Sequence, residues 1–140
     1  MTLEPVRVVF GEEFASVERE GLHSWRWTTE QSAELVLENP SSARRDTLLS
    51  MVVATAGGDP SEVRLHFPDG SEERLSVTVA GTPFERRMRL EPGRNTIQLS
   101  SNAPEAASDA RTLYVRLIDT SVLEEPVFQF YAPVGLRPPG

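Results

Sequence analysis

The residues best suited to chemistry stand in one short segment, residues 23–28, which reads His-Ser-Trp-Arg-Trp-Thr. If the segment is a β-strand, alternate side chains point to opposite faces, so His23, Trp25 and Trp27 share one face. An exposed indole offers a flat apolar surface with a polar edge. Trp25 is therefore a candidate platform for a sugar ring, and neighbouring polar side chains would bond the sugar hydroxyls. The candidate ligand-binding residues are Trp25, Arg26, Glu13, Glu20 and His23.

The same two tryptophans have a structural interpretation, in which they fill the core of the domain. An indole removes a large apolar area from water when it is buried. We favour this interpretation for Trp27, whereas Trp25, nearer to the preceding loop, fits both interpretations. Solvent exposure of the two indoles distinguishes them.

Composition and motifs argue against catalysis. The chain has no cysteine and two histidines, and it contains no Gly-x-Ser-x-Gly, phosphate-loop or dinucleotide motif. We therefore expect no enzyme, no cofactor and no protein-ligated metal centre. A structural calcium ion is compatible with a β-sandwich, although no Asp-x-Asp-x-Asp spacing is present. A hydrolase whose carboxylate pair is assembled only by the fold stays open as an alternative.

The charge balance limits the partners. The 140 residues carry 14 basic and 21 acidic side chains, and the formal net charge is −7. Binding to a phosphate backbone needs clustered positive charge, so we expect no nucleic-acid partner, and the acidic balance favours neutral or basic ligands. No apolar run approaches the roughly 20 residues that span a bilayer. The first residues also lack the basic and apolar parts of a signal peptide.

Short alternating segments separated by Pro and Gly turns predict an all-β, antiparallel β-sandwich that is jelly-roll-like. Residues 63–67 and 74–79, separated by Pro-Asp-Gly-Ser, predict a β-hairpin. Residues 47–56 read as a covered central strand, with a short helix as the alternative, and residues 100–110 as a loop. The other predicted strands are residues 6–10, 33–38, 84–90, 96–99 and 112–118.

We predict one sandwich domain over residues 1–125. Residues 126–140 form a C-terminal extension in this prediction, with at most one more strand at residues 128–131 before a disordered end.

Several short motifs carry a family resemblance. They are Phe-Gly-x-x-Phe (residues 10–14), Trp-Arg-Trp-Thr (25–28), Asn-Pro (39–40), Leu-x-Pro-Gly-x-Asn (90–95) and Arg-Thr-Leu-Tyr-Val-Arg (111–116). With them, residues 6–123 resemble the extracytoplasmic β-sandwich domains of bacterial membrane glycosyltransferases of the mannosyltransferase type, and of some sulfatase-like phosphoglycerol transferases. The resemblance implies a jelly-roll-like accessory module, similar to carbohydrate-binding modules, beside an enzyme that acts on cell-surface glycans.

Three functions follow as hypotheses. The first is a non-catalytic module that binds a glycan or a lipid-linked sugar beside a cell-envelope enzyme. The second is a docking or oligomerisation domain without a small ligand, for example a homodimer or a module packed on its parent membrane enzyme. The third is the hydrolase named above. We expect the extracytoplasmic face of a bacterial membrane if the chain is excised from a larger protein, and the cytoplasm if it is complete.

Overall fold

Twelve β-strands make up the part of the chain that the computed structural model describes, which is residues 4–57, 60–108 and 111–124, and these residues contain no helix. The strands are β1 (Arg7–Phe10), β2 (Glu18–Glu20), β3 (His23–Trp27), β4 (Ser32–Asn39), β5 (Arg45–Thr55), β6 (Ser61–His66), β7 (Glu72–Val77), β8 (Thr82–Leu90), β9 (Gly93–Ser101), β10 (Ala106–Ser108), β11 (Arg111–Leu113) and β12 (Val115–Glu124). The predicted all-β class is confirmed.

The strands form two five-stranded antiparallel sheets and one small hairpin. The first sheet has the order β1-β4-β9-β6-β7, and the second has the order β2-β3-β12-β5-β8. Strands β10 and β11 pair only with each other. Most neighbours within the sheets are distant in sequence, as expected for a jelly-roll-like sandwich rather than a meander.

The core lies between the two sheets and is built by alternation along each strand. In β6 of the first sheet, Val63 and Leu65 are fully buried while the residues between them are not. In β12 of the second sheet, Val115 and Leu117 are buried in the same cluster. Each buried aliphatic side chain of this size contributes about 1.5–3 kcal/mol through the area it removes from water. This burial determines which face of each strand points inward.

The predicted β6–β7 hairpin is confirmed. The Asp69 carboxylate accepts a hydrogen bond from the Ser71 backbone N–H at 2.9 Å, and Gly70 adopts a φ of +88°. Asp and Gly supply these two turn features at little cost, because Asp bonds its own backbone two residues on and Gly tolerates positive φ.

Three segments differ from the prediction or resolve it. The segment predicted as a strand or a short helix at residues 47–56 is a strand up to Thr55, within β5, which pairs with β12 on one side and β8 on the other. The loop predicted at residues 100–110 is partly wrong, because β9 continues to Ser101 and β10 follows. The polar end of β9 extends the first sheet because its backbone pairs with neighbouring strands, and Ser100 pairs with both β4 and β6. The strand predicted at residues 112–118 is divided at Tyr114, because β11 pairs with β10 whereas β12 begins at Val115 in the second sheet and continues to Glu124. The strand predicted at residues 128–131 and the disordered end lie outside the described residues.

Several motifs behind the resemblance stabilise turns and packing. Phe10 and Phe14 pack edge to face with their ring centroids 5.0 Å apart. Gly11, between them, has no room for a side chain, because an added Cβ would lie 3.0 Å from the Glu34 carbonyl oxygen. Asn39 and Asn95 are buried, and their side-chain amides bond backbone groups of the turns beside them. The fold therefore explains these motifs structurally. The Trp-Arg-Trp-Thr motif of β3 is different, because its two tryptophans are not part of the core.

Candidate functional site

The register between β3 and β12 places both tryptophans on the outer face of the second sheet. Leu117 is buried in the core, and its cross-strand partner is Arg26. The neighbouring pairs, Trp25 with Ile118 and Trp27 with Arg116, therefore lie on the opposite, outer face. Both indoles are half-buried there. The core interpretation favoured for Trp27 is thus wrong, because β3 turns its Ser-Arg-Thr face inward.

The Ser-Arg-Thr face can point inward because the side chains of Arg26, in β3, and Thr28, just after it, have polar partners there. Thr28 is fully buried, and its hydroxyl oxygen accepts a hydrogen bond from the Val115 N–H at 3.1 Å. The Arg26 guanidinium lies 4.7 Å from the centroid of the Phe10 ring and donates to the Ala15 carbonyl at 3.3 Å. Satisfied polar groups remove most of the penalty of burial.

On the outer face, the side chain of Arg116 rests against both indoles. Its guanidinium carbon is 4.8 Å from the ring centroid of Trp25 and 5.3 Å from that of Trp27. A cation held over an aromatic face is stabilised by roughly 0.5–2 kcal/mol, depending on how far it is shielded from water. Arg116 therefore contacts both indoles and braces Trp25 from one side.

A surface depression of about 410 Å³ opens beside Trp25. Its lining residues are Glu20, His23, Trp25, Val52, Arg116, Ile118 and Asp119. The floor is apolar, and ionisable side chains stand around it. A shallow apolar floor with a few convergent polar groups is the usual form of a small-ligand site.

The β2–β3 hairpin brings Glu20 to this depression. Glu20 is the cross-strand partner of His23, and the chain reverses between them at Gly21, whose φ is +60°. Leu22, at the tip of the hairpin, is fully exposed. The hairpin therefore places Glu20 and His23 side by side, two residues along β3 from Trp25 and on the same face.

Asp119 approaches His23 from a β-bulge in β12. The register between β12 and β5 shifts between Ile118 and Ser121, and Asp119 adopts a φ of +51°, which is uncommon for a residue other than glycine. Its Oδ2 lies 2.6 Å from His23 Nδ1, and its Oδ1 accepts a hydrogen bond from the Ser24 N–H at 2.9 Å. The hydrogen bond with His23, followed by that from Ser24, lowers the pKa of the Asp119 carboxyl below its ordinary value.

The structure brings together three of the five residues that were selected from the sequence, namely Glu20, His23 and Trp25. Arg26 lies on the inner face of β3, as described above. Glu13 lies in the loop before β2, where its Oε1 accepts a hydrogen bond from the Glu34 N–H at 3.1 Å. Neither side chain lines the depression.

Arg116 and Asp119 are the polar lining residues that sequence reasoning did not select. Alternation along residues 112–118 indicates that Arg116 and Ile118 face away from Val115 and Leu117. No sequence signal shows that this outward face lies beside Trp25, because β3 and β12 are about 90 residues apart in the chain. The bulge at Asp119 likewise lacks the glycine that often marks one.

Within residues 4–57, 60–108 and 111–124, no three Asp, Glu or His side chains converge into a set that could hold a metal ion. A structural calcium ion stays a prediction from the sequence. No helix with the length and apolar character needed to cross a membrane occurs in the described part of the chain.

Comparisons with known proteins show likeness only among solved structures. No protein-family model matches the chain, and no curated protein matches it. A family 35 carbohydrate-binding module, Xyl-CBM35, in complex with a glucuronic acid containing disaccharide is 16% identical, and the match covers 82% of this chain and 94% of that one with a TM-score of 0.44. The CBM35 from Cellvibrio japonicus Abf62 is 16% identical over 84% and 96% of the two chains, with a TM-score of 0.43.

A third neighbour is TmCBM61 in complex with β-1,4-galactotriose, which is 16% identical over 88% of this chain and 90% of that one, with a TM-score of 0.41. At this level of identity a ligand is not transferred from one protein to another.

Proposed function

We propose that this chain is a non-catalytic module that binds a glycan on the outer face of its second sheet, with Trp25 as the surface on which a sugar ring packs. Glu20 and His23 stand beside the indole and would hydrogen-bond the sugar hydroxyls. Arg26 and Glu13 would support the site from outside the depression. On the inner face of β3, Arg26 hydrogen-bonds the Ala15 carbonyl, and Glu13 links the loop between β1 and β2 to Glu34 of β4.

One observation carries the proposal: Trp25 faces solvent at the floor of a depression instead of filling the core. A sugar ring has an apolar face of C–H groups and an edge of hydroxyls, so it needs a flat apolar surface with polar groups at the border. The lining supplies Trp25, Val52 and Ile118 as the apolar part, and Glu20 and His23 at the border.

We propose further that the module serves an enzyme of the bacterial cell envelope, whose substrate is a cell-surface glycan or a lipid-linked sugar, and that it lies on the extracytoplasmic side. The support is the motif resemblance described above, which covers residues 6–123.

A docking or oligomerisation domain is the second candidate, and it is favoured by Leu22. This side chain is fully exposed at the tip of the β2–β3 hairpin, next to the depression. A leucine in this position would contribute to an apolar contact with a second copy or a parent enzyme.

The hydrolase alternative would need Glu20 and Asp119, the two carboxylates at the depression, to act as acid and base. A general acid must hold its proton near neutral pH, which requires a raised pKa. The pKa of Asp119 is instead lowered by His23 and Ser24. This direction argues against an acid role for Asp119.

The proposal is tested by screening the chain on a glycan array beside Trp25→Ala, Trp25→Phe and Leu22→Ser. We expect specific binding by the wild type, a loss of at least tenfold with Trp25→Ala, partial retention with Trp25→Phe, and no change with Leu22→Ser. Circular dichroism checks that each variant keeps its fold.

Fluorescence provides an independent readout. Trp27→Phe leaves Trp25 as the sole indole, so a glycan that packs on Trp25 should shift its emission and protect it from iodide quenching. If no glycan binds, and Leu22→Ser instead abolishes self-association in gel filtration, the docking function replaces the one proposed here.

A further inference from the structure

Arg116 differs from most other arginines of this acidic chain in having no carboxylate partner. Arginines that lie within 4 Å of an Asp or Glu oxygen include Arg7, Arg44, Arg45, Arg64, Arg74, Arg86, Arg89 and Arg94. Arg116 forms no ion pair or hydrogen bond with any residue that the structure describes. The chain has 21 acidic side chains, yet none of those that the structure describes forms an ion pair with the Arg116 guanidinium.

The two indoles hold the guanidinium of Arg116 in place and leave its Nε without a hydrogen-bond partner. Trp25 and Trp27 lie 4.8 and 5.3 Å from its central carbon, and its Nε is shielded from solvent without a hydrogen-bond partner. A side chain fixed in this way loses little conformational freedom when a ligand binds. The guanidinium is also planar and can present two parallel N–H groups to one carboxylate.

We infer that the ligand of this site carries a carboxylate, as a uronic acid residue does, and that Arg116 binds that carboxylate while the sugar ring packs at Trp25. The inference rests on the proposed function, since it names the substrate class of the same depression. It differs from the expectation of a neutral or basic ligand, which follows from the net charge.

The acidic groups at the depression lie at its other end. Along β3, Trp27 pairs with Arg116, and His23, the partner of Glu20, is four residues away. At about 3.3 Å per residue this separation is about 13 Å. Glu20 and Arg116 therefore belong to strand positions on opposite sides of Trp25. Glu18 is the cross-strand partner of Trp25 on the same face, but it does not line the depression.

Asp119 is also engaged elsewhere, because both of its oxygens already bond β3, at His23 and Ser24. The lining therefore has a cationic end at Arg116 and a hydroxyl-binding end at Glu20 and His23, with the Trp25 ring between them. A sugar with a carboxylate on one side and hydroxyls on the other matches this order.

The decisive experiment compares three forms of one glucuronate-containing disaccharide, which carry a carboxylate, its methyl ester or a reduced hydroxymethyl group at the same carbon. Titration calorimetry of the wild type should show the free acid binding about 10- to 100-fold more tightly than the other two, since a hydrogen bond to a charged group is worth that factor. This preference should shrink as salt is added.

Variants assign the preference to Arg116. We expect Arg116→Met to remove the preference for the acid while retaining binding of the ester, and Arg116→Lys to recover it only in part, because an ammonium group lacks the planar fork. Arg94→Met, on the first sheet, is the matched control and should leave all three affinities unchanged.

The outcomes separate this inference from the proposed function. Equal binding of the three forms, or equal weakening of all three by Arg116→Met, overturns the carboxylate inference, and the second result would mean that Arg116 only braces Trp25. Binding confined to uncharged glycans also overturns it and leaves the proposed function standing. Absence of binding to every glycan overturns both.

Discussion

His23 and Asp119, 96 residues apart in the chain, meet with His23 Nδ1 2.6 Å from Asp119 Oδ2. The contact joins the start of β3 to the bulge in β12 and engages Nδ1 of the imidazole ring. It leaves Nε2 of His23 as the ring nitrogen that can bond a ligand. Asp119 thus combines an uncommon positive φ with a hydrogen bond to His23 at the border of the proposed site.

Asp119→Asn should destabilise the protein near neutral pH and lose this effect in acid. Because the folded-state pKa of Asp119 lies below its ordinary value of 3.8, its contribution is fully present above that value and disappears as pH falls through the folded pKa. Asparagine tolerates the positive φ, so the backbone remains comparable. Urea unfolding of both proteins between pH 7 and pH 2.5 measures the difference, and a difference that stayed constant over this range would contradict the assignment.

Arg45 and Glu124 form a largely buried ion pair, with 7% and 17% of their side chains exposed and 2.5 Å between Arg45 Nη1 and Glu124 Oε1. Glu124→Leu should lower the free energy of unfolding by about 3 kcal/mol, because it leaves a buried cation without its partner. The double variant Arg45→Met with Glu124→Leu should recover much of that loss. Chemical denaturation checks both values, and a double variant no more stable than Glu124→Leu alone would show that the two charges are not coupled.

Arg86 of β8 packs against the hairpin of the opposite sheet. Its guanidinium carbon is 3.9 Å from the centroid of the Phe67 ring, and its nitrogens bond Glu73, Asp69 and Ser71. Arg86→Lys keeps the charge but loses the planar fork, so we expect a loss of about 1–2 kcal/mol.

The control for Arg86 is Arg44→Lys, in an exposed ion pair with Glu91, which should change stability by no more than about 0.5 kcal/mol. Similar effects of the two substitutions in thermal unfolding would mean that the packing of Arg86 on Phe67 contributes little.

Gly81 and Gly70 form a matched pair for separating backbone strain from crowding. Both have positive φ, +91° and +88°, but an added Cβ at Gly81 would lie 2.7 Å from Val52 Cγ1, whereas at Gly70 it would meet nothing within 4 Å. Gly70→Ala should therefore cost about 1–2 kcal/mol from the backbone alone. Gly81→Ala should cost about 1–3 kcal/mol more, because Val52 must move.

Because Val52 lines the depression, Gly81→Ala should also weaken glycan binding, whereas Gly70→Ala should leave it unchanged. Denaturation midpoints and the calorimetric affinities measure the two effects. Equal stability losses for the two alanine variants would show that the Val52 side chain yields without cost.

Local features of the sequence predicted most of the strands and turns. Alternation identified the inward faces of β6 and β8, where Val63, Leu65, Phe84 and Met88 are buried, and Pro-Asp-Gly-Ser identified the hairpin turn. Polar stretches were the weak point, as at β9 and β10. Their side chains carry little hydrophobic pattern, and only cross-strand pairing shows that they belong to a sheet.

For the site, the sequence by itself determined that His23, Trp25 and Trp27 share one face of a strand, because the two-residue period of a strand is a local property. It could not determine which face of β3 is inward, since one face carries indoles and the other carries Arg26 and Thr28, and both can be buried if their polar groups are satisfied. The tertiary structure decided this through Phe10, Ala15 and Val115, which satisfy the inner face.

Only the tertiary structure also brought Arg116 and Asp119 to Trp25 and His23. Pairing between β3 and β12 joins segments about 90 residues apart, and the register depends on the packing of both sheets around a shared core. Local residue patterns contain no information on such long-range pairing. The sequence therefore determined the aromatic strand, and the fold determined that a cation without a carboxylate partner stands beside it.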